Sequence, residues 1–141
     1  MNKNRFFQTC VALAWGLACL SATAQDFPPK RPVTLVVGFA AGGAADTAAR
    51  LIAKRLSENI GQSVVIDNKA GAGGNIAHQF AANGPADGSV ILFGSVGPLT
   101  IAPHLMKLPY DPVRDLAPIT MGVNFPNVLV VHSGLGIKTF T

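Results

Sequence analysis

The sequence predicts an α/β fold, in which short strands alternate with helices. Short apolar runs are separated by segments whose apolar residues recur every three to four positions, and glycine-rich turns follow the apolar runs. The 15 Gly and 10 Pro have no regular period, which argues against a fibrous or low-complexity chain. With 49% hydrophobic and 13% charged residues, the 141-residue chain is too apolar to remain disordered.

A strand–helix–strand unit accounts for the first part of this pattern. Val33–Val37 is a continuous apolar run, typical of a strand buried in a parallel sheet. Ala45–Ile60 has helical periodicity, with Asp46 in its first turn and Gly61 at the position of a left-handed terminator. Val64–Ile66 is the next apolar run. Such a unit predicts two parallel strands joined by a right-handed crossover.

The same pattern repeats more weakly along the rest of the chain. The sequence predicts a short helix over Asn75–Ala82, a third strand over Val90–Phe93 and a few helical turns within Leu99–Met106. Ile119–Val123 and Val128–Val131 are the last predicted strands. Before these strands, Tyr110 is expected at the edge of the core and is followed by a predicted turn at Asp111 and Pro112.

The N-terminus, Met1–Ala24, has the features of a cleaved signal peptide. Lys3 and Arg5 form a positive start, Cys10–Leu20 is apolar, and small residues precede a predicted cut after Ala24. The apolar run is too short for an ordinary membrane span, although an N-terminal anchor is the alternative. We therefore expect a periplasmic protein whose mature form contains no cysteine, because both cysteines lie in this segment.

Charge and motifs exclude several classes of function. The formal net charge is +4, but no block of Lys or Arg could follow a phosphate backbone, so we expect no nucleic-acid partner. The three histidines show no metal-ligand spacing, and the phosphate-binding motifs of nucleotide proteins are missing, so we expect no metal and no cofactor. Ser95 follows a strand without a nucleophile motif around it; a small exported α/β hydrolase is the weaker alternative.

Three glycine-rich loops follow the three predicted strands: Gly38–Asp46, Asn68–Asn75 and Gly94–Thr100. Ligands of open α/β sheets bind beyond the carboxyl ends of the strands, and helix N-termini there attract anions. The loops therefore predict a site for a carboxylate or another small anion, unless the glycines only form tight turns. Asp46 is either a helix N-terminal carboxylate or a side chain that orients the first loop.

Several blocks in order resemble the substrate-binding proteins of tripartite tricarboxylate transporters, the Bug or TctC family. The resemblance covers residues 25–141 and rests on the strand and loop Pro32–Asp46 and on five further blocks: Gly61–Asn68, Gly71–Ile76, Ala86–Gly88, Leu108–Pro112 with Asp115–Pro118, and Pro126–Val131. It implies a type II-like periplasmic binding fold whose two lobes close on a small di- or tricarboxylate. It also implies delivery to membrane permease subunits by a monomeric receptor without enzymatic activity.

The resemblance implies ligand-binding residues in all three loops. The first loop departs from the family by carrying alanines at positions 40 and 41, where proline is frequent. The implied ligand-binding residues are Phe39, Ala40, Gly42, Gly43, Asp46, Gly73, Asn75, Ser95 and Gly97.

The length of the sequence is also an expectation that comes from the resemblance. Family members are about twice as long, and Lys138–Thr141 resembles the start of the crossover to a second lobe. We therefore expect residues 25–141 to form part of the first lobe, truncated before the second and with at best half of a binding site. A non-functional remnant is the alternative.

Overall fold

A computed structural model describes residues 27–126, 128–137 and 139. The predicted signal peptide and most of the predicted crossover start lie outside these residues. The described chain contains three strands and three α-helices: β1 (Val33–Val37), α1 (Ala44–Ile60), β2 (Val64–Asn68), α2 (Asn75–Ala82), β3 (Val90–Phe93) and α3 (Ala102–Leu105). A 3-10 turn over Ala72–Gly74 precedes α2, a π-helical turn over Gly97–Ile101 precedes α3, and a second 3-10 turn covers Ser133–Leu135.

The three strands form one parallel sheet in the order β2-β1-β3. Val33 is opposite Val64 of β2, and Thr34 is opposite Val90 of β3, so β1 is the central strand. Four of the five β1 residues are buried, as expected for an apolar strand with neighbours on both sides. Because all strands are parallel, the loops after them leave the same edge of the sheet.

Helix α1 packs on the sheet through small side chains. Ala49 and Ala53 are buried against Leu35 and Val37 of β1 in the main hydrophobic cluster. Alanine at these positions lets the helix backbone approach the sheet closely. The helix ends at Gly61, which adopts the left-handed conformation with φ 64°.

The structure confirms the predicted α/β class and five of the predicted elements. Helix α1 begins one residue before the predicted start, and β2 extends to Asn68. The predicted helical turns within Leu99–Met106 divide into the π-helical turn and α3, with the Ala102 N–H donating to the Gly97 carbonyl. Pro98 and Pro103 have no N–H, which weakens regular α-helical bonding on both sides of this junction.

The strands predicted at Ile119–Val123 and Val128–Val131 are wrong. Neither segment pairs with a strand in the described part of the chain, where β2 and β3 pair only with β1. Ile119 is 78% exposed and Val128 is 75% exposed. An apolar run forms a strand only where a neighbour supplies hydrogen bonds, and the sequence pattern contains no information about that neighbour.

None of the helices described is long and apolar enough to cross a lipid bilayer.

Candidate functional site

The loops after β1 and β2 come into close contact at the carboxyl edge of the sheet. A side-chain Cβ placed on Gly38, which follows β1, would lie 3.0 Å from the Cα of Gly74 in the loop after β2. It would also lie 3.3 Å from the Cβ of Ala77 in α2. Only glycine allows this approach of the two backbones.

Asp46 lies beneath the first loop and accepts three hydrogen bonds. Its side chain is buried, at 2% exposure. Oδ2 accepts from the Gly42 backbone N–H at 2.8 Å and from Arg50 Nε at 2.9 Å, while Oδ1 accepts from Asn68 Nδ2 at 2.9 Å. Hydrogen bonds from Arg50, Gly42 and Asn68 hold the pKa of Asp46 well below its ordinary value.

Asn68, which contacts Asp46, also contacts the first loop directly. Its Nδ2 also donates to the Phe39 carbonyl at 3.1 Å. The end of β2 and the start of α1 therefore hold the first loop from two sides. Of the two interpretations of Asp46, these contacts agree with the one in which its side chain orients the first loop.

The second loop contains a run of residues with positive φ. Gly71, Ala72, Gly73 and Gly74 have φ values of 129°, 47°, 64° and 99°. Ala72 carries a side chain in this region, which costs about 1 kcal/mol or more. Asn75 supports the bend because its Nδ2 donates to the Ala72 carbonyl at 2.9 Å.

The third loop is held by a buried imidazole. The backbone N–H of Ser95 donates to His78 Nε2 at 3.2 Å, and His78 Nδ1 lies 2.9 Å from the Gly74 carbonyl. Ser95 Oγ is buried and is the one such side-chain atom without a hydrogen-bond partner among the described residues. A Cβ on Gly74 would lie 3.5 Å from this oxygen, so the hydroxyl lies between the second and third loops.

Tyr110 packs at the edge of the core beside His78, as the sequence predicts. Its side chain is buried, at 7% exposure, and its ring stacks on His78 with the centroids 6.3 Å apart. The hydroxyl lies 2.8 Å from Asn75 Oδ1 and 3.2 Å from the Pro98 carbonyl. Asp111 begins the predicted turn, because its Oδ1 accepts from the next two available backbone N–H groups.

The structure places all nine predicted ligand-binding residues in the three loops at this edge or in the first turns that follow them, although their exposure differs. Asp46 is buried, and Asn75, Ser95 and Gly97 are partly buried. The other five are exposed: Phe39, Ala40, Gly42, Gly43 and Gly73. Sequence reasoning missed Asn68 and His78 as the residues that connect the loops.

The residues present favour binding over hydrolysis. A hydrolase of the kind considered would need a base at the Ser95 hydroxyl, but His78 Nε2 accepts from the Ser95 backbone N–H instead. In the part of the chain that the structure describes, no three His, Cys, Asp or Glu side chains come together as a metal site.

The parallel sheet and its glycine-rich loops match part of the fold of solved periplasmic proteins. One solved structure, a periplasmic transporter, is 37% identical and matches with a TM-score of 0.58 over 62% of this chain and 30% of that chain. The family described as "Tripartite tricarboxylate transporter family receptor" matches residues 48–141. The chain belongs to this family, which confirms the resemblance read from the sequence.

Individual relatives support the family membership. A UPF0065 protein from the tcbD-tcbE intergenic region of Pseudomonas sp. (strain P51) is 42% identical over 93% of this chain and 39% of its own length. R. palustris Rpa4515, solved with adipate, is 47% identical over 62% of this chain and 29% of that chain, with a TM-score of 0.55. The present chain spans about two-fifths of the length of the curated relatives that it matches.

Proposed function

We propose that this protein is a periplasmic receptor that captures a small carboxylate at the carboxyl edge of its sheet. One observation carries the proposal: α1 and α2 both begin at this edge with glycine caps and no side-chain cap. The first N–H groups of a helix then lack side-chain acceptors, and the helix N-terminus carries partial positive charge. A carboxylate can accept hydrogen bonds from these N–H groups, and its negative charge is attracted to the helix N-terminus.

The nearby charges are compatible with an anionic ligand. Arg50 lies 2.9 Å from Asp46 and compensates the one buried carboxylate near the first loop. Ser95 Oγ has no partner within the described chain, which leaves its hydrogen free for a ligand oxygen. Backbone donors bind the carboxylate group without a selective contact to the rest of the ligand, so these residues define the ligand class.

The relatives support the substrate class and the partner. Rpa4515 was solved with adipate, a dicarboxylate, and the family is that of tripartite tricarboxylate transporter receptors. We infer that the protein delivers a di- or tricarboxylate to membrane permease subunits, as a monomer and without turnover. Residues 25–141 would contribute part of the first lobe of this receptor.

Titration calorimetry with adipate tests the binding site. The protein purified after expression from its own gene should bind adipate but not the neutral diamide of the same length. Asn75→Asp adds a negative charge at the start of α2 and should weaken binding at least tenfold. Thr100→Ala is the control, because the Thr100 hydroxyl bonds only the Val96 carbonyl of its own helical turn. Equal binding of the acid and the diamide would contradict the proposal.

The proposed location has a separate test. N-terminal sequencing of the protein from a periplasmic extract should give a chain that starts at Gln25. A product that keeps residues 1–24 and sediments with the membranes would contradict cleavage after Ala24.

A further inference from the structure

His78 is the one fully buried ionisable side chain in the described structure, and it lies between two of the ligand loops. Its exposure is 0%, although α2 begins only three residues before it. Nδ1 lies 2.9 Å from the carbonyl of Gly74, and Nε2 lies 3.2 Å from the backbone nitrogen of Ser95. The imidazole therefore connects the second loop to the third.

These two partners determine the protonation state of the ring. The Gly74 carbonyl can only accept a hydrogen bond, so Nδ1 must carry a hydrogen. The Ser95 amide can only donate, so Nε2 must have a free lone pair. Both contacts exist together only in the neutral Nδ1–H tautomer. Protonation would place a hydrogen on Nε2 against the amide hydrogen of Ser95 and would break the contact.

The surroundings of the ring favour the neutral form. Burial lowers the pKa of His78, partly offset by the hydrogen bond to Gly74. The titratable group that faces the ring is the Tyr110 phenol, whose own pKa is raised by burial. Gly94 lies at the other nitrogen, since a Cβ placed there would be 3.4 Å from Nε2. No charged side chain among the described residues is a cause of the His78 shift.

We propose that His78 is a positioning residue of the carboxylate site. Its neutral imidazole fixes the third loop against the second and so sets where the unpartnered Ser95 hydroxyl lies. The inference rests on the proposed function, because it assigns the Ser95 loop to ligand binding. Ligand affinity should therefore fall when His78 becomes protonated, although the imidazole itself does not contact the ligand.

A first test needs no ligand. In nitrogen-15 NMR spectra of the full-length protein, the Ser95 amide should show a coupling across the hydrogen bond to His78 Nε2. Amide exchange at Ser95 should accelerate about tenfold or more in His78→Leu, which removes the acceptor, and much less in His78→Gln, which can keep one. His104→Gln is the control, since this imidazole in α3 is exposed, whereas that of His78 is buried.

A second test measures adipate affinity against pH. The wild-type protein should lose affinity as the pH falls through the pKa of His78, whereas His78→Gln should bind with a flatter pH profile. His78→Leu should bind about tenfold more weakly at neutral pH. Wild-type affinity in a folded His78→Leu protein would overturn the proposal.

The two tests separate the possible failures. If no protein binds adipate or another small carboxylate, the proposed function is wrong, and the NMR coupling still decides whether His78 holds Ser95. If His78→Leu does not fold, the wild-type coupling and the pH profile of His78→Gln decide whether His78 positions the Ser95 loop. Absence of the coupling in the folded wild-type protein would by itself refute the positioning role.

Discussion

Asp46 combines nearly complete burial with a full negative charge. A buried carboxylate is costly unless donors replace its lost water, and here Gly42, Asn68 and Arg50 supply them. Because its pKa is lowered on folding, Asp46 stabilises the fold above the pKa it has in the unfolded chain. That contribution is lost as the pH falls from the pKa of the unfolded chain towards the lower pKa that Asp46 has in the fold.

The Asp46→Asn variant should therefore be less stable. The substitution removes the ion pair with Arg50 and replaces one acceptor oxygen by a donor group that faces other donors. We expect the midpoint of thermal unfolding to fall by roughly 5 °C or more near pH 7. Glu58→Gln is the control, because Glu58 pairs with Arg55 on the exposed face of α1, and it should change the midpoint little. Equal effects of the two variants would contradict the role given to Asp46.

Ser95→Ala should have opposite effects on stability and on binding. The buried Oγ has no partner among the described residues, so its removal relieves an unsatisfied polar group. We expect unchanged or slightly higher stability in chemical denaturation and weaker adipate binding by calorimetry. A large loss of stability would mean that the hydroxyl has a partner in solution.

At the scale of elements, local patterns were sufficient for β1, α1 and α2. An apolar run between turns indicates β1, apolar periodicity indicates both helices, and Gly61 marks the end of α1. All of these signals act within a few residues. The errors are the last two predicted strands, because whether those segments form strands depends on a distant pairing partner. The position of the loops at one edge of the sheet was predictable, but the role of His78 was not, because its contact with Ser95 joins separate elements.

The close approach of the first and second loops can be tested by two glycine substitutions. Gly38→Ala places a Cβ 3.0 Å from the Gly74 backbone, and we expect a loss of about 1–3 kcal/mol in the free energy of unfolding. Gly97→Ala is the control: nothing lies within 4 Å of its Cβ position, and its φ is not in the left-handed region. Its effect should stay within about 0.5 kcal/mol. The loop contact is disproved if Gly38→Ala is as stable as Gly97→Ala.

The turn before β3 should contribute acid sensitivity. Hydrogen bonds from the Ser89 hydroxyl and backbone N–H, with a smaller effect of Arg31, lower the pKa of Asp87 from 3.8 to about 2. The unfolded chain therefore binds the proton more readily, and stability should rise with pH between about 2 and 4. Urea titrations at several pH values should show a smaller rise for Asp87→Asn. An unchanged slope would argue against this assignment.

At the scale of the whole molecule, residues 119–126 and 128–137 form an apolar segment with exposed side chains. Ile119, Met121 and Val130 are each at least 78% exposed. Many exposed apolar side chains within one segment favour association with another surface. Outside this segment, Leu51 on α1 is an exposed apolar side chain at 66% exposure.

A recombinant polypeptide limited to residues 25–141 should therefore self-associate through this segment, in contrast to the monomeric receptor proposed above. The double variant Val128→Ser and Val130→Ser should reduce both dye binding to apolar surface and the sedimentation coefficient at micromolar concentration. Leu51→Ser is the control and should change neither. A monomeric wild-type chain that binds no dye would contradict the prediction.

The central position of β1 has a consequence for the order of folding. This strand is synthesised first, but it pairs with β2 only after α1 has been made, and with β3 only after α2 has followed. Its apolar side chains therefore remain without their sheet neighbours while most of the described fold is still being made. Such non-local pairing slows folding, because loop closure costs entropy before the contacts form. A delay of this kind would favour the export proposed above, because an unfolded chain crosses a membrane more readily than a folded one.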